Sequence, residues 1–314
     1  MTSALAAPAA LAAGDFDQWL RELRSEARGK GVSDAVLDDA FKGVRPLPRV
    51  IELDRKQPEF TLTWAEYLGR VVNEARVEKG RALAAENARL LGDVAARFKV
   101  APGMVVALWG IESDFGRLTG GFNVIAALAT LAFDGRRASF FRGELMEALR
   151  ILQGERMPAA AMLGSWAGAM GQCQFMPSSF RNFAVDFNGD GRRDIWTTLP
   201  DVLGSAANYL AKSGWKAGEA WGDPVLLTRG IDPAQASLNN KRPTAEWLAD
   251  GIVPRDGSAL RDPGDRQAAL LLPDGIAGPA YLVYRNFSVI LRWNRSNFFA
   301  LAAGTLADRI SRGL

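Results

Sequence analysis

Val105-Val-Ala-Leu-Trp-Gly-Ile-Glu-Ser-Asp-Phe-Gly-Arg117 is an apolar run with one glutamate near its end. Pro102 suits the first turn of a helix, where a missing N–H costs little. Gly116 suits the stop. Between them the run is apolar except for Glu112, Ser113 and Asp114, so the pattern predicts a buried helix. Leu108 and Trp109 precede Glu112 by one turn and share its face. A carboxyl packed against Leu and Trp loses solvation, and the negative end of the helix dipole also disfavours its charge. Both effects raise its pKa, and a carboxyl that stays protonated near neutral pH can act as a general acid. The residues alone leave a second reading open, in which Glu112 turns to solvent or pairs with Arg117.

The rest of the chain narrows the chemistry by what it lacks. Its 314 residues contain no histidine. That removes Ser-His-Asp and Cys-His mechanisms, any histidine base, and histidine-ligated zinc or haem. Cys173 is the only cysteine, so no intrachain disulfide and no cysteine zinc site can form. We read it as a small packing residue. Hydrophobic content is 48% and charged content 23%, ordinary for a soluble globular chain. A net charge of +3 weakly favours an anionic partner. No block of Lys and Arg interleaved with aromatics marks a nucleic-acid binder.

Residues 1–14 are Ala- and Leu-rich. They read as a signal remnant with Ala10-Leu-Ala12 as an A-x-A cleavage site, lacking a basic n-region, or as a plain flexible leader. Residues 15–98 read as a helical lobe. Phe16, Trp19, Leu20 and Leu23 recur at helical spacing, and Ser33 suits the N-cap of a helix holding Val36, Leu37 and Phe41. Val44 to Pro48 is a linker, and Ala82 to Phe98 reads as one longer helix. Residues 99–215 form the expected core, with a turn at Gly120–Asn123, a buried helix from Val124 to Phe133 and an amphipathic one from Phe140 to Gln153. Met157 to Phe180 carries no charge. Its prolines, serines and glutamines argue against a membrane span and for a buried core. Gly164, Gly168 and Gly171 permit close backbone approach. The uncharged polar string Gly171 to Ser179 suits either the wall of a sugar cleft or a buried turn.

Asp186-Phe-Asn-Gly-Asp-Gly-Arg-Arg-Asp194 matches the start of an EF-hand calcium loop. Asp186, Asn188 and Asp190 supply side-chain oxygens, Gly191 permits the sharp turn, and Arg192 offers its backbone carbonyl. Thr197 stands where the bidentate Glu belongs, and Asp201 could close an enlarged loop. The alternative is a solvated Asx turn. A helix from Asp201 to Lys212 follows. Residues 216–275, rich in Pro and Gly, read as a small β-containing insert with strands at Pro224–Thr228 and Ala268–Leu272. In 276–314, Ala280 to Asn286 reads as extended. Phe287 to Arg312 reads as a C-terminal helical segment packing back on the core.

Taken together, these motifs resemble the lytic murein transglycosylase B family. The residues that carry the resemblance are Trp109-Gly-Ile-Glu-Ser-Asp-Phe-Gly116, Arg136 to Leu145, Ser165-Trp-Ala-Gly-Ala-Met-Gly171 with Gln174-Phe-Met-Pro-Ser-Ser179, the loop at Asp186, Ser205-Ala-Ala-Asn-Tyr209 and Trp293-Asn-Arg-Ser296. They run in the family's order over about Phe60 to Leu306. The resemblance implies a mainly α (α+β) fold with a lysozyme-like catalytic core, a helical lobe and a small β-containing insert. It implies that Glu112 is the sole acid and base. It implies a cleft formed by Ser165, Gln174, Phe175, Tyr209 and Asn294, with Trp293, Phe299 and Tyr67 as aromatic contacts to sugar. Structural Ca²⁺ would sit on Asp186, Asn188, Asp190, Arg192 and Asp201. Peptidoglycan glycan strands would be the substrate, in the periplasm, without nucleic acid or a transmembrane segment, alongside cell-wall synthesis complexes as possible partners. The reaction implied ends in 1,6-anhydromuramic acid. A muramidase on the same scaffold, and a non-catalytic calcium-stabilised peptidoglycan-binding protein, are the alternatives.

Overall fold

A computed structural model describes residues 13–56, 62–262 and 264–312. The expected leader, 1–14, falls almost wholly outside the described residues. The described chain holds fourteen α-helices and seven short strands. The first six helices are α1 Ala13–Gly29, α2 Asp34–Ala40, α3 Pro48–Arg55, α4 Trp64–Val71, α5 Glu74–Glu86 and α6 Ala88–Phe98. Next come α7 Pro102–Ser113, β1 Phe122–Asn123, α8 Val124–Asp134, α9 Ala138–Glu155, β2 Leu163–Gly164, α10 Pro177–Phe183 and α11 Leu199–Lys212. The rest are β3 Gly222–Leu227, β4 Lys241–Pro243, α12 Thr244–Ala249, β5 Ile252–Pro254, β6 Gln267–Leu271, β7 Ala280–Val283, α13 Arg285–Trp293 and α14 Asn297–Ser311. The fold is mainly helical, as expected.

Two compact units divide these elements. One takes the chain up to residue 56 with Leu118–Asn182 and Ile195–Thr197, and the other takes 62–117, Phe183–Asp194 and the chain from Thr198 onward. The sequential segments expected above run along the chain, whereas these units are crossed several times by it.

In the first unit α8 packs on α9, α3 on α8 and α2 on α9. Ser33 accepts the Val36 N–H and caps α2, as its position predicts. Asn123 caps α8 in the same way, which follows from the turn expected at 120–123. That turn also forms a two-residue antiparallel pair, Phe122 with Gly164 and Asn123 with Leu163. The uncharged stretch after Met157 is a 3₁₀ turn, a short strand, loops and the start of α10. No single helix among the described residues is long and apolar enough to cross a membrane.

In the second unit α7 is the central helix, packed by α5, α6, α11 and α14. Val105 to Leu108 are at most 1% exposed, which is what an apolar run without a polar face requires. The helix from Ala82 to Phe98 is not continuous: Asn87 ends α5 and begins α6. Its side-chain amide donates to the Leu83 carbonyl at 2.9 Å, the kind of local bond with which Asn interrupts a helix. The insert is a five-stranded antiparallel sheet in the order β4-β6-β7-β3-β5. It reaches beyond residue 275 to include β7. One face buries Val225, Ala268, Leu270 and Leu282 with Trp247 and Ile252. The expected C-terminal helical segment consists of two helices, α13 and α14, with Ser296 capping the second through the Phe299 N–H.

Candidate active site

The end of α7 decides where Glu112 stands. The helix stops at Ser113, three residues before the expected Gly116. Asp114 (φ 50°) and Phe115 (φ 59°) both take left-handed backbone, a cost of roughly 1–2 kcal/mol per non-glycine residue. The bend folds Phe115 back onto its own helix, edge-on to Trp109 at 5.4 Å. Gly110 makes room for it, because a Cβ there would lie 2.7 Å from the Phe115 ring. Ser113 satisfies the helix end: its hydroxyl donates to the Trp109 carbonyl at 3.2 Å and accepts the Gly116 N–H at 3.0 Å. Phe115, Gly110 and Ser113 were not predicted from sequence to shape this corner. Their only signal is their place beside Glu112.

Glu112 sits in the last turn, partly buried. Burial pushes its carboxyl up to about 7, and a hydrogen bond from Trp293 opposes the rise. The Trp293 indole N–H donates to Oε1 at 2.7 Å. Trp293 closes α13, and its ring packs 4.7 Å from Tyr209 of α11. Tyr209 is itself backed by Phe183 at 4.3 Å, and its hydroxyl donates to the Arg292 carbonyl at 2.6 Å. Thus α11 fixes the backbone that carries Trp293, and Trp293 fixes Glu112. Tyr67 of α4 is close enough that the Glu112 charge adds to the upward effect of burial on its phenol.

Arg117 does not pair with Glu112. It binds Asp114 at 2.6 Å, and Lys79 stands 3.7 Å from the same carboxylate. Burial raises the Asp114 pKa, but the Arg117 hydrogen bond and the Lys79 and Arg117 charges outweigh it and hold the group below its usual value. Two carboxyls two residues apart therefore have opposite environments, one an acid near neutrality and the other a fixed anion.

Tyr67 meets Phe298 at 5.6 Å, and Trp64 meets Phe298 at 5.5 Å. Phe299, the expected aromatic contact, is 5% exposed and belongs to the core. Neighbours on a helix point about 100° apart, so only one of the two phenylalanines can leave the core, and their identity alone does not say which. Asn294 is exposed, and its Oδ1 accepts the Ser296 N–H at 3.0 Å in the turn between α13 and α14.

In the first unit, Ser165, Gln174 and Phe175 share one tight loop. The Ser165 hydroxyl accepts the Ala169 N–H at 3.0 Å. Gln174 has a left-handed backbone (φ 50°), and its amide donates to the Thr119 and Gly171 carbonyls at 3.1 and 2.9 Å. Phe175 is buried and exchanges backbone hydrogen bonds with Met170. The expected close approach is present: a Cβ at Gly171 would fall 2.6 Å from the Ile195 carbonyl oxygen.

The Asp186 loop lies in the second unit. Asp186 accepts the N–H groups of Gly189, Asp190 and Gly191, and the Asn188 amide donates to Asp190 at 2.9 Å. Asp201 is fully buried and accepts the Phe187 and Asp194 N–H groups at 2.8 Å each. Burial raises its pKa, backbone hydrogen bonds oppose this, and the Asp186 charge adds to it. Among the described residues no three His, Cys, Asp or Glu groups are gathered as a metal cluster. The donors are nonetheless all oxygens, and a carboxylate oxygen with one N–H bound retains a lone pair for a hard cation.

Residues 15–308 match the Transglycosylase SLT domain. The chain belongs to that family. This SLT-domain chain is 32% identical over 251 residues to the membrane-bound lytic murein transglycosylase B of Escherichia coli (strain K12), covering 79% of this chain and 67% of the relative. Its structure is similar to that of SltB3 from Pseudomonas aeruginosa in complex with NAG-anhNAM-pentapeptide, with a TM-score of 0.91 and 47% identity over 94% of this chain and 79% of that one. It is also similar to the Escherichia coli lytic transglycosylase Slt35 in complex with calcium, with a TM-score of 0.79 and 30% identity over 93% and 92% of the two chains. The lysozyme-like catalytic fold expected from the motifs is thereby shown for this SLT domain.

Proposed function

We infer that the chain is a lytic transglycosylase that cleaves the β-1,4 bond between N-acetylmuramic acid and N-acetylglucosamine in peptidoglycan, with Glu112 as its single acid and base. The observation that carries this assignment of Glu112 is its carboxyl, raised to about 7 and held by the Trp293 N–H. The SLT-domain match and the lytic transglycosylases to which the chain is similar support the reaction. Glu112 first protonates the glycosidic oxygen as the bond to muramic C1 breaks. The substrate's own N-acetyl group stabilises the oxocarbenium-like centre. Glu112, now ionised, takes the proton of the muramic C6 hydroxyl, and that oxygen bonds to C1. The product is a 1,6-anhydro ring, and no water is consumed.

Glycosidases that activate water or form a glycosyl-enzyme use two carboxylates. Asp114 is committed to Arg117 and Lys79, which disfavours it as the second one and favours the transglycosylase over a muramidase. Trp293 is a positioning residue for Glu112. As a donor without an acceptor it fixes the carboxyl and cannot relay its proton. Tyr209, Asn294 and Tyr67 bind and orient the sugar beside Glu112, and orientation is worth several orders of magnitude in rate. Phe175, expected to line the cleft, is 3% exposed and belongs to the core of the loop that carries Ser165 and Gln174. Phe298 takes the stacking place expected of Phe299.

Calcium would be held by Asp186, Asn188 and Asp190, the Arg192 carbonyl and Asp201, where it would neutralise the carboxylates ahead of α11. Its contribution there is to the stability of the helix that carries Tyr209. The periplasm is the compartment in which this substrate lies.

A digest of purified peptidoglycan, read by mass spectrometry, tests the assignment. Wild type is expected to release muropeptides one water lighter than hydrolytic ones and without a reducing end, and Glu112→Gln to release none. Reducing products would replace the transglycosylase with a muramidase. Wild type without products would leave a binding protein.

A further inference from the structure

A cavity of about 520 Å³ opens on the face of the sheet opposite its buried core. Lys241 on β4, Ala269 on β6 and Val283 on β7 are cross-strand partners in one row and line it. Arg285 and Arg292, two turns apart on α13, line its side. Lys241, Arg285 and Arg292 bring three positive charges, and no Asp or Glu lines the cavity. That lining alone carries as much charge as the whole chain, whose net is +3. None of the three forms a salt bridge among the described residues. A second cavity shows the usual alternative: its Arg255, Arg261, Arg309 and Arg312 are accompanied by Asp223, Asp256 and Asp308. Arg292 is also preset, since its guanidinium donates to the Ser213 carbonyl at 2.8 Å.

The cavity runs along α13 from Arg285 to Arg292, and Glu112 stands beyond the C-terminal end of that helix, against Trp293. Arg285 begins the helix and Trp293, the donor to Glu112, ends it. At about 1.5 Å per residue that separation is roughly 12 Å. An extended peptide of four or five residues spans roughly 14–18 Å. We propose that this cavity binds the carboxylates of the peptide stem attached to the muramic acid that Glu112 attacks. The proposal rests on the transglycosylase reading and adds a second point of attachment to it, one that recognises charge on the peptide while the cleft recognises sugar.

The test compares kcat/KM on glycan strands that carry peptide stems with kcat/KM on strands stripped of them by an amidase. Wild type, Lys241→Gln, Arg285→Gln and the double variant are measured, each first shown to keep the wild-type Tm. Wild type is expected to prefer the peptide-bearing strands. Each single change is expected to lower that preference about two- to fivefold, the range for partly exposed ion pairs, and the double change about tenfold, through KM. Stems with their carboxylates amidated, and high salt, are expected to abolish the preference of wild type. Titration of the free stem peptide into the Glu112→Gln chain reads the same site without cleavage, and the double variant is expected to weaken that binding about tenfold. A preference that survives in the double variant, or peptide binding that ignores it, overturns the proposal. Binding of inorganic phosphate alone, with no peptide dependence, assigns the cavity to a free anion and overturns it also. Absence of cleavage of either strand by wild type, with peptide binding lost in the double variant, refutes the transglycosylase reading and leaves the cavity's ligand standing.

Discussion

Replacing Glu112 by Gln is expected to make the protein more stable at neutral and alkaline pH while it abolishes activity. Gln keeps an oxygen to accept the Trp293 N–H and removes only the charge. In the folded chain the carboxyl is raised from 4.5 to about 7 by burial. The folded state therefore binds this proton more tightly than the unfolded state does. Between those two values the folded chain holds more protons, so stability falls as pH rises through the window and the loss is complete above about 7. At about 1.4 kcal/mol per pH unit the full cost is roughly 3 kcal/mol. For a domain of this size that is about 6 °C in Tm, taking roughly 2 °C per kcal/mol. Thermal unfolding of both proteins from pH 4 to pH 8 reads it directly. The two should melt together at pH 4 and diverge by about 6 °C, Gln above Glu, at pH 8. Equal melting at pH 8, or a difference that does not vary with pH, would refute the claim that burial keeps this carboxyl protonated.

Trp293→Phe removes the one hydrogen bond that lowers the Glu112 pKa, so the alkaline limb of the pH–rate profile should move upward while kcat falls about tenfold with the loss of positioning. An unshifted profile would show that Trp293 does not act through Glu112. Gly110→Ala should destabilise the chain by about 1–3 kcal/mol, because the added Cβ meets the Phe115 ring at 2.7 Å; unchanged urea unfolding would contradict that packing. Removal of calcium with a chelator should lower Tm, by about 2.7 kcal/mol of stability if the ion had been at a hundredfold its Kd, and Asp190→Ala should make Tm indifferent to calcium. A wild-type Tm that ignores calcium would show that the Asp186 loop holds no structural ion.

The sequence was most informative where one residue type has one use. An apolar run whose carboxyls come only at its end, at Glu112 and Asp114, reads as a buried helix with a functional or paired end, and α7 is that helix. Ser33 and Asn123 stand just ahead of apolar runs, where helix caps belong. It was least informative where tertiary contacts choose between equivalent local states. Asn87 breaks a run that reads as continuous, because its amide bonds back to Leu83. Gly116 is a good stop by propensity, yet Phe115 finds its packing partner only if the helix ends at Ser113. Phe298 and Phe299 are identical in type, and the packing of α14 alone decides which one faces Tyr67. The Trp293 contact joins residues 181 positions apart, and no local pattern announces such a pair.

In the proposed reaction a sugar hydroxyl, not water, completes the step at Glu112. Digestion of peptidoglycan in ¹⁸O-labelled water, with the product ends analysed by mass spectrometry, measures this directly. Muramic ends that contain no label are predicted. Label at muramic C1 would overturn the intramolecular step and require a second carboxylate that activates water.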